Sequence, residues 1–398
     1  MNSKDNLKSR AATLSIFQLY GGQALWFPVL SLICFGVLFV YSASSVYSAQ
    51  KYGDEFIFVK KQLLYLIPGI IAAICGAKIS LRFWFKYRIP IFFASVFLAT
   101  LTRVPGLGRK VKGAARWISI GPVQFQPSES LKIATIFMLA GTLHLYPKSF
   151  QKLWPLACAF ACLIIQPDFG SCVILFLTVA TMLFMHGLPL SIFSFGIASL
   201  LPIVAIVAIS APYRVKRLVS FLDPFADALG AGFQIIQSFV AIANGGWFGR
   251  GLGGSQQKLF FLPEAHTDFI LAVIGEEMGF AGIFTIMLIY SLFFYAIIQI
   301  VSQALSSKDR LIASGIFAIF AGSTIINLGM VAGLLPTKGL PLPFISSGGS
   351  SLVVNLFMVG ILSQIHKNTL LQADSDSSKQ SQNRSLISSL ESLKATHS

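Results

Sequence analysis

Apolar runs close to 20 residues long recur from Leu25 to Ile365, separated by charged or Pro/Gly-rich breaks. Each is long enough to cross a hydrocarbon core of about 30 Å as a helix. The pattern predicts ten spans, at roughly 26–45, 62–78, 88–102, 128–146, 154–167, 170–187, 190–210, 269–301, 309–333 and 346–366. The fold class expected is therefore all-α, a polytopic membrane protein with about ten transmembrane helices. Residues 1–25 form an N-terminal segment, 26–367 the membrane domain, and 368–398 a polar, Ser-rich tail expected to be disordered. Two long loops, 103–127 and 211–268, interrupt the spans. The first residues are polar and basic and lead into a full-length span without a small-residue cleavage site, so the first span reads as both anchor and signal. No internal repeat supports an inverted-repeat transporter.

Composition narrows the class further. Of 398 residues, 55% are hydrophobic and 11% charged, where a soluble domain carries about 25% charged residues. A soluble enzyme is excluded. An even number of spans puts both termini on one face, and fifteen of the 30 Lys and Arg residues flank it. Only Lys51, Lys60, Lys61 and Lys338 border the other face outside the two long loops, so both termini of this multi-pass membrane protein are expected in the cytoplasm. The long loops carry Arg103, Arg109, Lys110, Lys112 and Arg116 in the first and Arg214, Lys216, Arg217, Arg250 and Lys258 in the second. Two readings stand for these cations: attraction to anionic headgroups, or a site for a phosphate-bearing substrate. Spans divide the basic residues, which argues against a nucleic-acid partner. Cys34, Cys75, Cys158, Cys162 and Cys172 lie in apolar runs without a C-x-x-C pair and read as small buried hydrophobes.

Ionisable residues at membrane depth are costly and are functional candidates by default. Glu129 opens the fourth span with Lys132 one turn later, a spacing that favours an ion pair shaping a cavity wall. Asp168, in Gln166-Pro167-Asp168-Phe169-Gly170, either caps the next helix or faces a cavity. The densest cluster is Pro263-Glu264-Ala265-His266-Thr267-Asp268-Phe269, followed by Glu276 and Glu277. If Asp268 begins a helix, Glu276 lies about 12 Å deeper. It would then sit some 80° around the helix from Asp268, with Glu277 on the opposite face. On that geometry only Glu276 shares a cavity with Asp268. Beneath two basic loops, Asp268 could serve as a general base; the plainer alternative is that it caps the eighth span. His266 by itself reads as a structural hydrogen-bonding residue. No His or Cys grouping has zinc spacing.

Two glycine-rich segments remain. Gly245 to Gly254 follows no strand of a βαβ unit and lies outside the membrane, so a nucleotide loop is rejected. Pro336 to Ser351 is irregular backbone entering the last span, which at membrane depth must be buried or line an aqueous cavity, so its amides and hydroxyls could bind a polar headgroup.

KGAARWISIGPVQFQPSESLK, QPDFGS, GGWFGRGLGGSQQKLFFLPEAHTDFILAVIGEEMGF and PTKGLPLPFISSGGSS occur in this order. On these motifs the chain, over roughly 25–367, closely resembles the SEDS family (shape, elongation, division and sporulation). The run KLFFLPEAHTDFI and Lys338 in PTKG resemble its division branch more than its elongation branch. Lys112, Asn244 and Ser347 depart from the family's usual Asn, Ser and Tyr.

The resemblance implies a SEDS-type fold and a peptidoglycan glycosyltransferase. Such an enzyme polymerises lipid II, an undecaprenyl-pyrophosphate-linked disaccharide-pentapeptide, with a class B penicillin-binding transpeptidase and other division proteins as partners. Asp268 falls on the family's catalytic aspartate and would deprotonate the attacking 4-hydroxyl. Arg109, Lys110, Arg116, Arg250, Lys258 and Lys338 are the cations available to hold pyrophosphate. Gln234, His266, Thr267, Ser346 and Ser347 are further expected substrate contacts, while Glu129, Lys132, Asp168, Glu264 and Glu276 shape the cavity. No cofactor is identified. A divalent cation could share the charge, though no motif establishes a metal site. The alternatives are a lipid II flippase, which needs a polar path across the bilayer and no general base, and a non-catalytic scaffold of the division machinery.

Overall fold

The computed structural model describes residues 3–104, 107–111, 114–120, 123–147, 149–189, 215, 219–230 and 232–395. The expected span at 190–210 and the cations Lys112, Arg214, Lys216 and Arg217 lie outside them. The helices are α1 (Ser3–Tyr52), α2 (Ile57–Lys78), α3 (Leu81–Lys86), α4 (Arg88–Leu101), α5 (Pro127–Leu145), α6 (Trp154–Ile165), α7 (Phe169–Met185), α8 (Phe233–Gly245), α9 (Ile270–Gln303), α10 (Ser307–Val331) and α11 (Gly349–Ala395). Among the described residues, five segments are individually long and apolar enough to cross a membrane: Gly22–Tyr52, Ile57–Lys78, Ile270–Gln303, Ser307–Val331 and Gly349–Gln372. The helices around 88–101, 151–165 and 169–185 are shorter and apolar. Boundaries read from the apolar runs agree with these helices to within a few residues, with three exceptions: α1 begins at Ser3, α1 and α2 extend further toward their shared turn, and α11 continues as helix to Ala395, through the segment expected to be disordered.

Both long loops contain regular structure that apolar runs could not reveal. In 103–127 the chain forms an antiparallel sheet of β1 (Gly108–Val111), β2 (Ala114–Ile120) and β3 (Val123–Phe125), in the order β1-β2-β3. Ile118 is paired with both Gly108 and Phe125. In 211–268, α8 packs on α9 and is tied to α10 by the Ser238 hydroxyl, which donates to the Val331 carbonyl at 2.6 Å.

α5 is the central element. Nearly all of its side chains from Pro127 to Leu143 are buried, so Glu129 and Lys132 have no water to pair with. They pair with each other at 2.9 Å, as their spacing predicts. Phe39, Phe92, Phe269, Phe293 and Phe320 are fully buried. α2 and α11 pack where glycines let backbones meet: a Cβ on Gly360 would lie 2.2 Å from the Ala73 carbonyl oxygen, and one on Gly76 2.6 Å from that of Phe357. Outward-facing Ile67, Ile71, Phe97 and Phe284 remain exposed, as lipid-facing positions should.

Candidate functional site

The turns that end α1, precede α7 and α9 and follow α10 converge on one face, and Asp268 sits among them. It is half-buried in a run of turns from Glu264 to Phe269. The α9 N-cap is Phe269 and no side chain caps that helix, so the capping role considered for Asp268 is not what the structure contains. The backbone from His266 to Asp268 is held at three points. Asn327 Nδ2 on α10 donates to the Asp268 carbonyl at 2.9 Å and to the Leu340 carbonyl at 2.8 Å. The Ser346 hydroxyl donates to the Thr267 carbonyl at 2.6 Å, and the Ser347 N–H donates to the His266 carbonyl at 3.0 Å. One side chain of α10 and two groups of the irregular segment leading into α11 thus lock three consecutive carbonyls of the His-Thr-Asp run. Asn327 was not singled out from the sequence, where a lone Asn in an apolar helix carries no spacing signal.

Neighbouring side chains are fixed in turn. The Glu264 backbone is left-handed, at φ +60°, and its carboxylate accepts from the Thr267 hydroxyl at 2.8 Å. His266 packs its ring 4.3 Å from Phe58 and 6.0 Å from Tyr47 by centroid. The Asp268 carboxylate faces the irregular Pro336–Ser351 segment, for a Cβ on exposed Gly339 would lie 3.4 Å from Oδ2. Beside that glycine, the Lys338 ammonium lies 5.4 Å from the Phe169 ring centre, and Leu340 packs on Gly170.

The 337–340 segment therefore bridges Asp268 to the break between α6 and α7. There Asp168 caps α7 through the Ser171 N–H at 3.3 Å and accepts from the hydroxyls of Ser171 and Ser128 at 2.8 and 3.1 Å. Arg116, from β2, donates to the Pro167 carbonyl and stands 3.9 Å from Asp168. Of the roles considered for Asp168, the structure shows the cap. Arg109 and Lys110 lie on β1, paired with Trp117 and Ala115. Gln234 is half-buried on the first turn of α8.

The helical geometry expected for Glu276 and Glu277 does not hold. The helix begins at Ile270, not Asp268, so a rotation counted from Asp268 loses its meaning. Both carboxylates are buried and serve the 250–258 segment. Glu276 accepts from the Ser255 hydroxyl at 2.5 Å and the Gln257 N–H at 3.1 Å, with Arg250 at 3.8 Å. Glu277 takes Lys258 at 2.9 Å and the Ser42 hydroxyl at 2.6 Å. Lys258 is thus a neutralised, buried cation joining α1 to α9, at the edge of a cavity of about 550 Å³ lined also by Leu38, Tyr41 and Leu252. Among the described residues, no three His, Cys, Asp or Glu gather as metal ligands.

A family model described as "Cell cycle protein", covering FtsW, RodA and SpoVE, matches residues 23–370. The chain belongs to that family. Its relatives include the "Probable peptidoglycan glycosyltransferase FtsW" of Geobacter sp. (strain M18), 42% identical over 83% of this chain and 92% of that protein. "Stage V sporulation protein E" of Bacillus subtilis (strain 168) is 40% identical over 85% of this chain and 94% of that one. Among solved structures, one described as "Structural coordination of polymerization and crosslinking by a peptidoglycan synthase complex" superimposes with a TM-score of 0.72 at 30% identity, covering 87% of this chain and 97% of that one. The rod shape determining protein RodA of Thermus thermophilus superimposes with a TM-score of 0.63 at 25% identity, covering 87% and 96%. The family's multi-pass helical membrane fold is thereby shared.

Proposed function

We propose that this protein is a peptidoglycan glycosyltransferase that polymerises lipid II into glycan strands for septal wall synthesis, in the bacterial inner membrane with a class B penicillin-binding transpeptidase. We read 26–367 as one ten-span unit and 368–398 as its cytoplasmic tail. The observation that carries the reading is a half-buried carboxylate, Asp268, whose backbone is held by Asn327 of α10, whose neighbour Thr267 is held by Ser346, and whose oxygen faces the glycine beside Lys338. Relatives named as peptidoglycan glycosyltransferases support the reaction class.

Polymerisation requires the 4-hydroxyl of the acceptor sugar to attack the anomeric carbon of the donor, inverting it as the lipid pyrophosphate departs. Asp268 accepts the hydroxyl proton as the new bond forms. Rigid attachment at three carbonyls matters because a base misplaced by about 1 Å can cost 100-fold in rate. Lys338 and Arg116, on segments bridged to Asp268, stabilise the charge that develops on the leaving pyrophosphate; Arg109, Lys110 and Arg250 extend the cationic surface. Lys258 acts at one remove, by holding the 250–258 segment on α9. Glu129, Lys132, Glu264 and Glu276 build the walls, while Gln234, Thr267, Ser346 and Ser347 complete the polar surround.

The test is glycan-strand formation from purified lipid II in detergent, comparing the native chain with Asp268→Asn, each bound to a transpeptidase unable to polymerise or cross-link. Polymer from the native chain and none from the equally folded variant is expected. Equal polymer from both removes Asp268 as the base, and none from either, with lipid II bound, turns the reading toward a flippase or scaffold.

A further inference from the structure

Arg250 apart, the glycine-rich run from Gly245 to Gly254 plays no part in the chemistry above, and its apolar side chains are turned outward. Trp247 is 72% exposed, Phe248 85% and Leu252 64%. Water-facing loops seldom carry such a cluster without a partner. Its backbone is not loose. The Phe280 and Ala281 amides donate to the Gly246 and Trp247 carbonyls at 2.9 and 3.0 Å, and the Arg250 and Gly251 amides donate to the Glu276 and Glu277 carbonyls at 3.0 Å each. The strap crosses α9 at Gly279, where the helix is interrupted at φ +67°.

Two observations give the depth of this strap. Before the kink, Ile270 to Glu277 is wholly buried in protein. From Gly279 to Gln303 the helix rises about 36 Å, slightly more than a hydrocarbon core of about 30 Å, and Lys308 and Arg310 follow at its far end. The kink therefore lies at the outer membrane boundary. The Trp247 ring packs edge-on to Phe280 at 5.4 Å, Phe280 stacks on Phe284 at 6.3 Å, and both phenylalanines are exposed on the stripe that continues toward Met287 and Leu288. The tip of the strap is thus the outer end of a lipid-facing surface.

We propose that Trp247 and Phe248 seat in the headgroup region of the outer leaflet and anchor the α9 kink at that depth. The amphipathic indole of Trp247 favours this zone, with its N–H toward water and the ring body toward acyl chains, and the apolar Phe248 ring lies beside it in the chain. Since the same strap leads into the segment clamped by Glu276 and Glu277, the anchor sets the height of the neighbouring outer loop against the phosphate plane of the bilayer.

The test uses the full chain in phosphatidylcholine–phosphatidylglycerol liposomes, with Trp247 emission isolated as the difference between native protein and Trp247→Phe. The double variant Trp247→Phe/Phe248→Trp supplies a second reporter at the more exposed position. The expected result is loss of most of that emission to a nitroxide placed high on the lipid acyl chain and little loss to aqueous iodide, with or without the bound transpeptidase. Quenching by iodide alone would put the strap in water and overturn the proposal. Quenching by neither, or lipid quenching abolished by the transpeptidase, would assign the surface to protein and overturn it equally.

Discussion

Asn327 joins Asp268 to the segment it faces: one amide nitrogen donates to the Asp268 carbonyl at 2.9 Å and to that of Leu340 at 2.8 Å. Asn327 is fully buried, so no water replaces it when it is lost. Asn327→Leu leaves two carbonyls unsatisfied, at about 1–3 kcal/mol each. If this cost falls on the placement of Asp268, the polymerisation rate falls about tenfold or more, while lipid II affinity changes little. Measuring rate and affinity on the same preparation checks the split; a loss confined to affinity would contradict it.

Arg116 holds the Pro167 carbonyl and faces Asp168, and Lys394 lies in the tail. Arg116→Ala is expected to weaken lipid II binding far more than Lys394→Ala, with Arg116→Lys between them because it keeps the charge but loses the fork geometry. Binding should also weaken as salt rises from 0.01 to about 0.15 M, over which the screening length shrinks from roughly 30 to 8 Å. Equal affinities for the two alanine variants would remove the phosphate-site argument.

The Lys258–Glu277 pair is buried together with Ser42. Removing one partner strands a charge, at a cost of about 3–5 kcal/mol. Thermal unfolding in detergent should therefore place Lys258→Met and Glu277→Gln well below the native protein, and the double variant above at least one single variant. Additive losses would show that the pair acts as two independent contacts.

Gly279 has φ +67°, and a Cβ there would fall 2.4 Å from the Gly249 nitrogen and 2.6 Å from that of Phe248. Gly279→Ala must shift backbone on both sides of the strap, and left-handed geometry for a non-glycine residue adds roughly 1–3 kcal/mol. A lowered unfolding temperature and faster proteolysis between 246 and 258 are expected. Gly22→Ala, with open space at its Cβ, is the control and should change neither.

The membrane spans, the Glu129–Lys132 pair and the motifs that placed the chain in its family were legible in the sequence, because bilayer thickness and helical spacing act on neighbours along the chain. Asp268 stood out for the same reason, as a carboxylate at the edge of an apolar run. What the run could not say was how Asp268 is held. Its partners Asn327 and Ser346 are separated from it or its neighbour by 59 and 79 residues, and neither has a local pattern. The small outer sheet and α8 escaped for lack of an apolar run of membrane length. Glu276 and Glu277 were misplaced because a turn ending at Phe269 reset the helical phase. Local periodicity determines which segments are helices and which residues are costly to bury; only the packing of distant segments decides which buried donor meets which acceptor, because that pairing is imposed by desolvation after the spans have come together.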